Sequence, residues 1–143
     1  MKFKPGKKRY NDYPTFFKTL FEERVQKLSI DGGFTCPNRD GSKGVGGCSF
    51  CNNESFNPDY CRAVRGITEQ IDEGIRFFAR KYKGQRYLAY FQAYSNTYAP
   101  LDVLKLRYEE ALAHPMISGL VVGTRPDVVS EEVLDYLEKL ARR

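Results

Sequence analysis

Three cysteines, Cys36, Cys48 and Cys51, bracket a loop that reads Cys-Pro-Asn-Arg-Asp-Gly-Ser-Lys-Gly-Val-Gly-Gly-Cys-Ser-Phe-Cys. Soft thiolate sulfur suits iron in sulfide-bridged clusters, and the ligand loses its proton on binding. Three thiolates can hold three irons of a cubane cluster and leave the fourth iron without a protein ligand. Electron-transfer clusters normally have every iron capped by cysteine. An open iron is a place to bind a reactant, so the loop points to chemistry rather than to storage of an electron. Gly41, Gly44, Gly46 and Gly47 let the backbone wrap tightly and are expected to bring amide N–H groups near the cluster sulfurs.

The run resembles the cluster loop of the radical S-adenosylmethionine (radical SAM) superfamily, and within it the elongator-like branch of YhcC/YtqA-type proteins. Most superfamily members space their cysteines Cys-x3-Cys-x2-Cys with an aromatic residue before the last. Here Cys48-Ser49-Phe50-Cys51 keeps the second gap, while the first gap is eleven residues, as in the narrower branch. The resemblance continues through Leu28-Ser29-Ile30-Asp31, through the run from Tyr90 to Tyr98, and through Gly123-Thr124-Arg125-Pro126-Asp127.

The resemblance implies a [4Fe–4S] cluster on Cys36, Cys48 and Cys51, with S-adenosylmethionine chelated at the open iron. One electron from a donor such as flavodoxin or ferredoxin would cleave the sulfonium. Methionine and a 5′-deoxyadenosyl radical would result, and the radical would take a hydrogen atom from the substrate. RNA is the substrate class implied by the elongator-like branch. Phe50 would lie against the adenine, or pack under the loop. After the second strand the superfamily carries a glycine-rich motif with an acidic residue for the methionine amino group. This chain has Gln92-Ala93-Tyr94-Ser95-Asn96 there, with no carboxylate. Gln92 or Asn96 could accept that hydrogen bond through a side-chain carbonyl, with Tyr94 and Ser95 beside them. A polar surface turn is the alternative. Arg125 and Asp127 either touch cofactor or substrate, or pair with each other; Asp31 either joins them or shapes a turn.

A competing reading is a zinc-stabilised RNA-binding module with Cys36, Cys48, Cys51 and Cys61 as a four-thiolate site and no catalysis. Structural zinc favours two close pairs of ligands, and only one such pair exists here. Cys61 otherwise reads as a buried thiol. The single histidine, His114, precedes a proline at a helix end, where the helix C-terminus favours it. Hydrolytic triads are poorly supported.

These loops must be positioned by the rest of the chain. Its 143 residues, 41% hydrophobic and 29% charged, suffice for one domain with a core. No stretch has the length of a membrane-spanning helix, and no apolar run follows the basic N-terminus. A cytoplasmic location is therefore expected, where thiols stay reduced and four cysteines are better explained by metal than by disulfides. The net charge is +5, and Lys2, Lys4, Lys7, Lys8 and Arg9 form a basic arm over residues 1–11. That arm is either a solvated tail or a contact for RNA phosphates.

Residues 12–143 read as alternating helices and strands. Asp12 caps a helix with Phe16, Phe17, Leu20 and Phe21 on its apolar face. A first strand covers 25–30, and a glycine- and asparagine-rich loop extends to about residue 66. Thr68 caps a helix to about Lys83, stopped by Gly84, followed by a strand over 86–91. Pro100 opens a helix lined by Leu101, Leu104, Tyr108 and Leu112. The run over 117–122 reads as a buried parallel strand, and Ser130 caps a last helix carrying Leu134, Leu137 and Leu140. This alternation predicts parallel βαβ units with ligand loops at the carboxyl ends of the strands. The resemblance implies that these units are the first half of a partial (β/α)6 TIM-type barrel, cut short at residue 143.

Overall fold

The computed structural model describes residues 9–55, 57–83 and 85–143. Lys2, Lys4, Lys7 and Lys8 of the expected arm, and the expected stop signal Gly84, lie outside the described residues. Strands β1 (Arg24–Ile30), β2 (Gln85–Phe91) and β3 (Ile117–Val122) form one parallel sheet in the order β1-β2-β3. Parallel neighbours need a crossover, usually a helix. Helices α2 (Ile67–Ala79) and α3 (Leu101–Leu112) supply the two crossovers; α1 (Tyr13–Phe21) precedes the sheet and α4 (Glu131–Ala141) follows it. The fold is α/β, built from βαβ units. Among the described residues no helix is long and apolar enough to cross a membrane.

The core lies where α2 and α3 cover the sheet. Leu28 and Ile30 of β1, Phe91 of β2, Ile71 of α2, and Leu104 and Tyr108 of α3 are fully buried in one cluster. Burying an aliphatic or phenylalanine side chain of this size stabilises by roughly 1.5–3 kcal/mol. The caps follow local chemistry. Asp12 Oδ1 accepts from the Thr15 N–H at 2.9 Å, and Ser130 Oγ accepts from the Val133 N–H at 3.4 Å. Pro100 occupies the N-cap of α3, one residue before the first helical position.

Elsewhere tertiary contact overrides the pattern. Thr68 is the second residue of α2 rather than its cap; the cap is Gly66, and both the N–H and the hydroxyl of Thr68 turn to Glu110 on α3. α2 ends at Ala79, four residues before the expected Lys83. Leu20 and Leu134 are about half exposed; α4 buries Val133 and Tyr136, with Leu137 and Leu140 of the leucine stripe partly buried against the core. β3 has the expected bounds, yet Ile117 alone of its residues is buried.

Candidate metal centre

The register of the sheet decides where the chemistry gathers. Ile30 pairs with Phe91, and Phe91 with Val122, so the three strands end in one row. The loops over 31–66, 92–100 and 123–130 therefore leave the same rim, as parallel βαβ geometry requires. Gln70, fully buried on α2, anchors the first of them. Its Oε1 accepts from the Asp31 N–H at 2.9 Å, and its Nε2 donates to the carbonyls of Asp31 and Arg65 at 3.0 and 3.1 Å. Asp31 is a turn residue, its Oδ1 accepting from the Gly33 N–H at 2.9 Å.

The eleven-residue gap between Cys36 and Cys48 folds into a small reverse turn. Asp40 bridges Val45, and the amides of Lys43 and Gly44 donate to the Pro37 carbonyl at 2.9 and 3.2 Å. The tandem Gly46 and Gly47, at φ of 83° and 90°, turn the chain back in a conformation that disfavours other residues. At Gly47 a Cβ would also meet the Arg39 guanidinium at about 3 Å. Some of the glycine amides are used inside the loop. Gly41 and Gly47 donate within the loop, to the carbonyls of Gly44 and Asn38 at 3.1 and 2.9 Å.

The turn brings its two ends back to one residue. Asn38 donates its backbone N–H to the Cys36 sulfur and its side-chain Nδ2 to Cys48 Sγ at 3.0 Å. Burial opposes ionisation of the Cys36 thiol. Hydrogen bonds from the Ser95 hydroxyl, Asn38 and Arg125, with the Arg125 charge, outweigh it and hold the thiol below its ordinary value. Arg125 Nη1 lies 3.6 Å from Cys36 Sγ, and its Nε and Nη2 grip Asp127 at 2.7 Å each. Lys43 Nζ reaches the same carboxylate at 2.5 Å from the cysteine loop. These two cations hold the Asp127 carboxyl well below the usual carboxylate range, Arg125 contributing most. Of the two alternatives that the sequence posed, the Arg–Asp pair is present, and Arg125 reaches the Cys36 sulfur besides.

Cys36, Cys48 and Cys51, each half-buried, line one cavity of about 470 Å³ with Phe50, Gln92, Tyr94, Ser95 and Arg125. Ser95 is buried there, its N–H bonded to the Thr35 carbonyl at 3.1 Å. Gln92 Oε1 accepts from the Ser29 hydroxyl at 3.3 Å. Phe50 is 88% exposed, so it does not pack under the loop; it stands free at the cavity mouth. Tyr94 adopts φ 65°, the left-handed region where an aromatic residue is strained, and the Arg39 guanidinium lies 5.1 Å from its ring centroid.

Asn96 takes no part in the cavity lining. It is fully buried, and its Nδ2 donates to the carbonyls of Phe91 and Gly123 at 3.0 and 2.7 Å, stapling the end of β2 to the end of β3. Asn96 thus has a structural part that the sequence did not suggest: its amide nitrogen satisfies the backbone where two strands part. Cys61 is also apart. It is 2% exposed and lines a neighbouring cavity with Asp31, Asn57 and Arg62, and burial together with the Asp31 charge pushes its thiol up to about 12. His114, at the end of α3, bonds Asp72 of α2 at 3.1 Å, far from this rim in role. Asn38, Arg39 and Lys43 carry no sequence signal, since a lone polar residue in a loop has no periodicity, and Gln70 is a polar residue on the buried face of α2, where the pattern favours an apolar one.

Among the described residues, no three histidine, cysteine, aspartate or glutamate side chains converge on a single metal ion. A zinc site needs its sulfurs about 2.3 Å from one centre, whereas a cubane carries each cysteine on its own iron. The donor set fits such a cluster in kind: three cysteine sulfurs facing one cavity, with hydrogen-bond donors already on two of them.

Known proteins resemble this chain over most of its length. It is 48% identical over 117 residues to protein YhcC of Escherichia coli K12, covering 82% of this chain and 37% of that protein. It is 37% identical over 136 residues to the uncharacterized protein YtqA of Bacillus subtilis, covering 95% of this chain and 42% of the relative. An uncharacterized protein of Methanocaldococcus jannaschii is 33% identical over 131 residues, with 39% of its length covered. The chain thus spans about two fifths of the length of these relatives. Two of them carry the names of the narrow group that the cysteine spacing resembles. No family model and no solved structure matches.

Proposed function

We propose that this chain is the cluster-binding half of a radical SAM enzyme whose [4Fe–4S] cluster is held by Cys36, Cys48 and Cys51. The observation that carries the reading is the shared cavity: the three thiols meet at the strand-end rim, with the fourth cysteine in a different cavity. When bound, the cluster would supply the single electron that reduces the sulfonium of S-adenosylmethionine, yielding methionine and a 5′-deoxyadenosyl radical for hydrogen abstraction.

The chain's own residues do the positioning. Asn38 joins the two ends of the long gap. Gln92 and Ser95 offer neutral acceptors to the methionine amino group, and Phe50 offers an uncovered aromatic face to adenine. Arg125 brings a cation to the Cys36 sulfur. The three βα units correspond, in this proposal, to the first half of a partial (β/α)6 barrel, and RNA is the substrate class that the resemblance implies.

Anaerobic reconstitution tests the reading. Wild-type protein should take up iron and sulfide at roughly four each per chain and turn brown. Alanine at Cys36, Cys48 or Cys51 should abolish this, while Cys61→Ala should not. Reduction with S-adenosylmethionine, in a full-length relative carrying the same loop, should release 5′-deoxyadenosine. A colourless protein holding one zinc that depends on Cys61 would instead establish the zinc module.

A further inference from the structure

We infer that Arg125 is a redox-positioning residue, one that sets the reduction potential of the cluster through a charged hydrogen bond to the Cys36 sulfur. The inference rests on the proposed cluster and goes beyond it, because it concerns how readily the electron arrives.

Three features carry it. The first is the aim of the guanidinium. Nη1 stands 3.6 Å from Cys36 Sγ while Nε and Nη2 are held by Asp127 in a bidentate fork at 2.7 Å each, which leaves the remaining nitrogen a single direction. The second is the brace. Lys43 reaches Asp127 at 2.5 Å from the turn between Cys36 and Cys48, so the loop after β3 and the cysteine loop are fastened through one carboxylate. Two cations around one anion leave the cluster's flank net positive. The third is asymmetry among the sulfurs. The contact at Cys36 is with a charged guanidinium at 3.6 Å, whereas that at Cys48 is with the neutral Asn38 amide at 3.0 Å.

Hydrogen bonds to cluster sulfurs and nearby charge are the protein's levers on cluster potential. Reduction adds one negative charge to the cluster, and a partly buried cation beside it stabilises that added charge. Arg125 therefore makes the one-electron reduction easier, and the effect is concentrated at the Cys36 corner.

The sign of the effect separates an electrostatic role from a structural one. On anaerobically reconstituted protein, potentiometric titration followed by electron paramagnetic resonance reads the reduced cluster directly, without turnover. Arg125→Gln should lower the reduction equilibrium constant about tenfold, a shift of about 59 mV to more negative potential for one electron. Lys43→Met should move it the same way by less, and Asp127→Asn should move it the opposite way. An unchanged potential in a fully loaded Arg125→Gln protein overturns the inference, as does a shift of Asp127→Asn in the same direction as Arg125→Gln. Should Arg125→Gln fail to load, opposed signs for Lys43→Met and Asp127→Asn support the inference and parallel signs reject it. A wild-type protein that assembles no cluster sinks the proposed function itself, an outcome distinct from a loaded cluster with an unmoved potential.

Discussion

Asn38 Nδ2 donates to Cys48 Sγ at 3.0 Å while the backbone N–H of the same residue serves the Cys36 sulfur. One residue thus closes an eleven-residue gap by holding both of its ends. The turn between Cys36 and Cys48 folds back on Pro37 and Asn38, whose carbonyls accept from Lys43, Gly44 and Gly47.

Asn38→Ala should weaken retention of the metal. Removing an outer partner of a ligand typically costs 10–100-fold in metal affinity, so iron should leave the reconstituted protein about that much faster under a chelator. Cys61→Ala, in a separate cavity, is the control and should keep the wild-type rate. Equal rates for Asn38→Ala and wild type would refute the bridging role.

Gln70→Leu should destabilise the whole fold. The glutamine is fully buried and satisfies the N–H and carbonyl of Asp31 and the carbonyl of Arg65. Leaving buried backbone groups without partners costs about 1–3 kcal/mol each, and partial solvation should hold the sum near 3 kcal/mol. Urea unfolding measures it. A loss under about 1 kcal/mol would mean that water replaces the side chain.

Tyr94 tests whether the rim stores backbone strain. Its φ of 65° suits glycine better than any side chain with a Cβ. Tyr94→Gly and Tyr94→Ala both remove the ring and its contact with Arg39, so their difference isolates the backbone. The glycine variant should be the more stable by about 1 kcal/mol, the reverse of the order in a helix. Alanine equal to or better than glycine in a thermal melt contradicts the strain.

Cys61 should steepen the alkaline limb of stability. Burial first, and the Asp31 charge second, push its thiol up to about 12 from an ordinary 9.0. The unfolded chain ionises this thiol at lower pH than the folded one. The contribution to stability is therefore whole below pH 9.0, and it is lost as pH rises from there through about 12. Tyr60, beside it and also pushed up to about 12, adds to the same limb. Denaturation midpoints from pH 8 upward should fall faster for wild type than for Cys61→Ala; parallel curves would exclude the linkage.

The alternation of helix and strand was legible because hydrophobic periodicity reports local hydrogen bonding and one-sided burial. β3 came out with its expected bounds, β1 and β2 each gained one residue, and Asp12 and Ser130 cap as short polar residues before apolar runs do. The three cysteines singled out by type and spacing do line one cavity. Direction within loops was not legible. Gln92, Ser95 and Asn96 are near neighbours of equal polarity, yet two line the cavity and the third staples strands, a choice made by the row in which Phe91 and Val122 end. Cys61 was separated from the other cysteines, and Arg125 brought to Cys36 across 89 positions, only when the parallel register set three loops on one rim. Composition and spacing determined which atoms could do chemistry here; contacts between distant segments decided which of them meet, because no local pattern encodes a side chain's direction in a loop.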